Sequence, residues 1–297
     1  MAKTEECAGE TGASYATSVA PTGSVTVRER EHLRPGQVAL LAVALAFAAI
    51  MLVLPLVAVL VTAFRDGVGA WWRAVADDYT VKALQLTLVA TVCSVAINTA
   101  LGLCAAWFVT RFTFRGKKVL TALLDLPMAV SPVIVGLALL LVFGRKSPLY
   151  PALMSVHLNI MFAVPGIVLA TVFVTFPFVS RSVIPVLEQR GTDEEEAAAL
   201  MGAGGLTIFR RVTLPHIKWA LVYGVVLCTV RAMGEFGAVS VVSGHLRGLT
   251  NTLPLHIEIL FNEFQYVPAF AVSTILVVLA IVVLVAKSVL TRRMKEE

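Results

Sequence analysis

Charge is scarce in this sequence, and so is every kind of chemistry that needs a dedicated motif. Only 14% of its 297 residues are Asp, Glu, Lys or Arg, against 58% hydrophobic ones, a balance outside the soluble globular range. There are four cysteines (Cys7, Cys93, Cys104 and Cys228), with no CxxC pair and no close histidine, so neither a disulfide framework nor a metal site is indicated. Three of them lie in apolar runs, where a thiol behaves as a small hydrophobe. No cofactor signature is found: the GxxxxGKS/T phosphate loop is missing, and Gly116-Lys117-Lys118 has the wrong flanks for one. The apolar runs lack the in-out alternation of an outer-membrane barrel. No inverted half-repeat of the secondary-transporter kind is found either. The net charge of +5 is spread over the ends of apolar runs instead of gathered in a patch, which favours membrane topology and argues against nucleic-acid binding.

What is present is apolar length. A helix needs about 20 apolar residues to cross a bilayer core, and six runs qualify: 38–64, 84–109, 119–143, 160–179, 219–242 and 267–286. The expected fold is therefore all-α, a polytopic membrane bundle of six helices. Residues 38–290 would form the membrane domain, between a polar tail over 1–37, read as disordered, and a short C-terminal tail over 291–297. The first run is 27 residues long with no small-residue cleavage pattern, so a cleaved signal peptide is not expected. Seventeen Lys and Arg residues fall in the N-terminal tail, the stretch after the last apolar run and the connections 110–118 and 180–218, against six in the alternate connections. This bias puts both termini in the cytoplasm.

One cytoplasmic connection interrupts the apolar pattern. Residues 192–217 read TDEEEAAALMGAGGLTIFRRVTLPHI. Thr192 with Glu195 three positions on has the spacing of a capping box, and Asp193, Glu194 and Glu195 suit the first turn of a helix. Gly202, Gly204 and Gly205 permit a turn. A second short helix is expected over 206–211, with Pro215 in the opening turn of the fifth span. The sequence thus describes a bent helix pair with small alanine side chains, suited to close docking into a partner's groove or, alternatively, to lying on the membrane.

The spacing Glu196-Ala197-Ala198, three residues, Gly202, nine residues, then Val212-Thr213-Leu214-Pro215 resembles the EAA loop of permease subunits of ATP-binding cassette importers. Val212 in place of isoleucine is the one departure. The resemblance implies the type I permease fold of that family. It also implies that the loop over 188–215 is a coupling element, with Glu195, Glu196, Ala197, Ala198, Gly202, Leu214 and Pro215 serving engagement of a separate cytoplasmic ATPase. The residues agree independently: without a phosphate loop of its own, an ATP-driven transporter of this sequence needs its motor on another chain, and a helix tied to two spans would convey motor closure.

Two clusters mark a candidate translocation path. The fifth run contains Arg231-Ala232-Met233-Gly234-Glu235-Phe236-Gly237-Ala238. An arginine and a glutamate within a span are costly and belong on the bundle interior or a cavity. Their i, i+4 spacing supports mutual neutralisation, while the functional reading gives Arg231 a positive potential for an anion passage, held by Glu235, with Gly234 and Gly237 flexing the helix. In the third run, Ser131 and Pro132 follow Pro127, consistent with an irregular helix whose freed carbonyls line a path or with a simple packing kink. Asn98 and the polar stretch 243–252 are further candidates, and residues 253–264 alternate in helical fashion.

Together these passages, with RRVTLPHIKWALVYGVVL and GEFGAVSVVSGHLRGLTNTLPLHIEIL, resemble the sulfate/thiosulfate branch of the family, and within it the W-type permease. The resemblance runs over about residues 40–293. It implies an inner-membrane subunit without catalytic residues or cofactor. Its partners would be a T-type permease in a heterodimer, a cytoplasmic ATPase dimer and an extracytoplasmic sulfate-binding protein. Molybdate and tungstate permeases share these motifs and remain an alternative. Two rivals from other classes are an autonomous anion channel or secondary transporter, and an intramembrane serine protease, for which Ser243-Gly244-His245 is the only hint.

Overall fold

The computed structural model describes the backbone of residues 35–156 and 159–296 and the side chains of 36–156 and 159–289. The polar tail expected over 1–37 lies almost wholly outside these residues. The described chain is helical throughout, with no strand among the described residues. In order come α1 (Pro35–Ala63), α2 (Val68–Val75), α3 (Asp78–Arg111), α4 (Lys117–Ala129), α5 (Pro132–Phe143), α6 (Tyr150–Ser155), α7 (Val164–Thr175) and α8 (Pro177–Arg190). After these follow α9 (Asp193–Leu200), α10 (Gly205–Ile208), α11 (Leu214–Met233), α12 (Gly237–Ser243), α13 (Leu253–Asn262) and α14 (Tyr266–Glu296). The chain divides into two units, one ending at Leu52 and one running from Val53, so α1 begins in the first and ends in the second.

Among the described residues five helical stretches are long and apolar enough to span a membrane: Gly36–Ala63, Asp78–Arg111, Val164–Arg190, Gly205–Met233 and Tyr266–Val289. The sixth span is broken. Its limbs, α4 and α5, are bent by 109° at Val130–Ser131, where the expected single run over 119–143 has no continuous helix. The residue before a proline is driven out of the α region, and Ser131 takes φ −59°, ψ 132° ahead of Pro132. The fifth run is also displaced. Its helix starts at Gly205 and ends at Met233, and Gly234–Phe236 separates it from the short α12, where a continuous span to 242 was expected. The fourth starts at Val164, four residues late, because Phe162 sits at φ +58°. Instead of ending at 179 it continues to Arg190. The last helix likewise carries the expected C-terminal tail on as helix to Glu296.

Polar and small residues decide which faces meet. Thr87, Ala90, Thr91, Ser94, Asn98, Gly102 and Ala106 of α3 recur at three- and four-residue spacing and are all buried. Such small and hydroxyl side chains let membrane helices approach closely and hydrogen-bond across the gap. Ser94 Oγ donates to the Val168 carbonyl at 3.2 Å, and Asn98 Nδ2 donates to Thr175 Oγ1 at 2.7 Å, fastening α3 to α7. A methyl on Gly102 would lie 2.9 Å from Val179 Cβ, and one on Gly224 3.1 Å from Val179 Cα, so α3, α8 and α11 converge on one residue. Ala106, Val183, Leu187 and Ile217 close the end of this layer nearest the loop between the fourth and fifth spans.

Candidate functional site

The loop between the fourth and fifth spans is anchored from below by its acidic residues, each of which goes a different way. Glu195 does not form the expected capping box. Its carboxylate instead pairs with Arg111, the last residue of α3: Nη2 donates to Oε1 at 2.8 Å, and Nε lies 2.8 Å from Oε2 without a hydrogen bond to it. Thr213 Oγ1 donates to the same Oε1 at 2.8 Å, and Arg111 Nη1 reaches the Leu187 carbonyl at 3.2 Å. The side chains of Arg111 and Glu195 are only 9% and 17% exposed, so a desolvated, charge-assisted fork joins α9 to the ends of three spans. This tertiary partner outcompetes the local back-bond to the cap. Glu194 pairs with His216 Nε2 at 2.6 Å, and Thr192 Oγ1 donates to Glu196 at 2.7 Å.

The opposite face of the loop is open. Ala198 is buried, whereas Glu196 and Ala197 are exposed, and Leu200, Met201 and Leu206 are 90%, 82% and 72% exposed. Gly202, at φ +84°, reverses the chain after α9. Its N–H donates to the Ala199 carbonyl at 2.9 Å and the Ala203 N–H to that of Ala198 at 3.1 Å, the paired pattern of a glycine helix terminus. The second helix is not a separate piece: from Gly205 it passes through a π-helical turn, Phe209–Thr213, into α11. Leu214 packs beside Ile217 in the core cluster next to the loop, and Pro215 takes the second position of α11.

The two path clusters come together. Glycine at 136 and 237 lets α5 and α12 touch: a methyl on Gly136 would lie 2.7 Å from the Ala238 carbonyl oxygen, and one on Gly237 3.0 Å from Pro132 Cβ. Ser131 is exposed beside them, at the start of α5. Arg231 Nη1 and Glu235 Oε2 are 2.5 Å apart, with side chains 34% and 1% exposed. Glu235 Oε1 also accepts the Ala238 N–H at 3.0 Å. Glu235 therefore bridges the break after Gly234 and caps α12. The pairing read from the i, i+4 spacing is present, but at the end of a helix and not within one.

Several residues that matter here were not singled out in the sequence. Arg111 registered only as a topology charge and His216 only as part of the loop, while Thr213 lay within the EAA spacing and Asp125 at the head of the third-run cluster without a role of its own; the Asp125 carboxylate meets Arg181 Nε at 2.6 Å across α4 and α8. The protease hint fails: Ser243 is fully buried, its Oγ accepts the His245 backbone N–H at 3.2 Å, and the His245 ring lies 3.4 Å from Glu258. Among the described residues no group of three metal-ligating side chains is found.

Residues 98–296 match the model of the "binding-protein-dependent transport system inner membrane component" family. The chain belongs to this family. The curated relatives of this permease include the sulfate transport system permease protein CysW of Synechocystis sp., 46% identical over 86% of this chain and 92% of that one. The corresponding CysT protein of Salmonella typhimurium is 34% identical over 87% and 94%, so the W-type sequence is the nearer of these two. Among solved structures, a bacterial ABC transporter that imports the acidic polysaccharide alginate superposes with a TM-score of 0.73, covering 86% of this chain and 94% of that chain at 17% identity. That likeness establishes the fold: this permease is a multi-pass, all-α protein of the ABC importer type.

Proposed function

We propose that this chain is the W-type permease subunit of an ATP-driven sulfate/thiosulfate importer, with both termini in the cytoplasm. It would pair with a T-type permease, two copies of a cytoplasmic ATPase and an extracytoplasmic sulfate-binding protein. The observation that carries the reading is the two-faced loop. Glu194 and Glu195 are tied inward to the spans, while Glu196, Ala197, Leu200, Met201 and Leu206 face outward as an apolar, small-residue surface of the kind that docks into a protein groove. ATP-driven closure of the motor dimer moves this surface, and the passage turns outward to receive an anion; hydrolysis resets it. In that passage Arg231 supplies positive potential, steered by Glu235, beside Ser131, Pro132, Gly234 and Gly237. Identity of 46% with a sulfate permease over most of the chain supports the choice of oxyanion.

The test is uptake of labelled sulfate and molybdate, each competed by the other and by thiosulfate, in cells lacking this chain and complemented by it. Restored sulfate uptake that excess molybdate fails to block supports the reading. Preferential molybdate uptake moves the chain to the molybdate/tungstate branch, and uptake that persists without the ATPase assigns it to the autonomous channels or secondary transporters.

A further inference from the structure

We propose that α3 is the member through which the docking loop and the opposite, extracytoplasmic face act on each other, with Arg111–Glu195 as its inner joint and Thr87 and Thr80 as its outer one. The inference rests on the coupling role proposed above for α9 and α10.

The inner joint is stiff. A guanidinium held through Nη2 by the Glu195 carboxylate and through Nη1 by the Leu187 carbonyl, and shielded from water, fixes both direction and distance. Removing either partner strands a charge in a nearly dry site, an outcome far costlier than loss of a surface pair. A displacement imposed on α9 therefore carries the end of α3 with it. No proline lies between Asp78 and Arg111, and the helix bridges the bilayer unbroken, whereas the third and fifth spans are interrupted at 130–131 and 234–236. At 1.5 Å per residue, Thr87 and Arg111 are roughly 36 Å apart along the helix.

At its far end α3 grips α13. Thr87 Oγ1 donates to the Ala83 carbonyl and accepts the Leu253 N–H, both at 2.8 Å. Leu253 opens α13, and its N–H has no partner within that helix. Seven residues earlier, Thr80 Oγ1 donates to the Ala74 carbonyl at 2.9 Å and therefore receives the Nε2–H of His256 at 3.2 Å. All four residues of these contacts are buried, and Ala83 packs with Leu253 and Leu260 in one apolar cluster. In turn α13 holds the loop before it, through Glu258 on His245, while Glu263, just beyond the helix, pairs with Arg247. A binding protein seated on this outer face and a motor seated on α9 would thus be linked by one rigid body, and such linkage is reciprocal: whatever one end does to the equilibrium, the other feels equally.

The experiment uses the complete transporter in proteoliposomes, comparing ATP hydrolysis with and without sulfate-loaded binding protein for Arg111→Gln, Glu195→Gln and Thr87→Val. Co-purification of the ATPase is checked for each. The expected result is that all three retain the ATPase but lose stimulation by about fivefold or more, the lower end of ordinary allosteric coupling. The exchange Arg111→Glu with Glu195→Arg should restore part of it. Should Arg111→Gln fail to assemble, Arg111→Lys, which keeps the charge and loses the fork, is measured in its place. Wild-type stimulation in Thr87→Val, or in the Arg111 variant, overturns the proposal. Failure of the underlying coupling reading looks different: Met201→Asp would then leave ATPase binding and uptake intact.

Discussion

The guanidinium of Arg231 meets the carboxylate of Glu235 2.5 Å away, across the end of α11, and the same carboxylate caps α12 through the Ala238 N–H. The pair is therefore lopsided: the arginine is one-third exposed and the glutamate almost completely buried. Arg231→Ala should strand a buried carboxylate and cost about 3 kcal/mol or more, visible as lower thermal stability of the purified complex. Glu235→Gln keeps an acceptor for Ala238 and should cost less, and Arg231→Met with Glu235→Gln should recover stability. If that double variant also recovers full sulfate uptake, neutralisation is all the pair does. Stability restored without uptake assigns Arg231 to the passage.

The outward face of the docking loop gives a second expectation. Met201→Asp and Leu206→Asp put a charge into what is proposed to be an apolar contact, and Glu196→Arg reverses the charge beside it. Each should reduce capture of the ATPase by about tenfold or more, in line with the loss of an interface anchor, while leaving membrane insertion unchanged. Gly202→Val adds a β-branched side chain at φ +84°, a conformation that costs roughly 1–2 kcal/mol, and should uncouple ATP hydrolysis from uptake. Normal ATPase capture by all of the charged variants would remove this surface from the coupling role.

Hydropathy made the spans legible because the need to bury roughly 20 residues in lipid dominates their composition. It could not show where they break, since Val130, Ser131, Gly234 and Phe236 are as apolar or small as a continuous helix would be. Pro215, expected in the opening turn of the fifth span, lies inside a helical stretch that begins at Gly205, whereas Pro132, read as a kink or a path lining, opens α5 at the break. Thr192 and Glu195 differ again. Their spacing satisfies a local rule, but a capping box contributes little beside a desolvated fork to Arg111, and that partner lies 84 residues away in the sequence. Arg231, Glu235 and Ser131 stand out as rare polar groups in apolar runs; that Gly136 and Gly237 let α5 close onto α12 is visible only once the two breaks fold them together.

That crossing supports a third expectation. A methyl at Gly136 would meet a backbone carbonyl at 2.7 Å, and backbone cannot swing aside as a side-chain tip can. Gly136→Ala should therefore destabilise the complex by about 1–3 kcal/mol, the usual cost of overpacking. Gly204→Ala, where nothing lies within 4 Å of the added methyl, is the control and should be close to neutral. Thermal unfolding of the detergent-solubilised complex compares them, and equal stability of the two variants would refute the close α5–α12 contact.

Acid should act on α13 through His256. Burial pushes its imidazole below the ordinary value of 6.5, and the nearby Arg247 pushes the same way, with Asp77 and Glu263 opposing more weakly. The folded chain therefore resists taking up a proton that the unfolded chain accepts below about pH 6.5. The stability this group contributes is complete above that value and is lost progressively as the pH falls towards the depressed folded value. Hydrogen exchange of the α13 amides, followed from pH 7.5 down to 5 and corrected for the intrinsic rate, should show protection falling across that window. His256→Gln has no proton to gain, so its protection should stay level over the same range even if its starting stability is lower. A wild-type profile and a His256→Gln profile with the same slope would mean that another group carries the acid response.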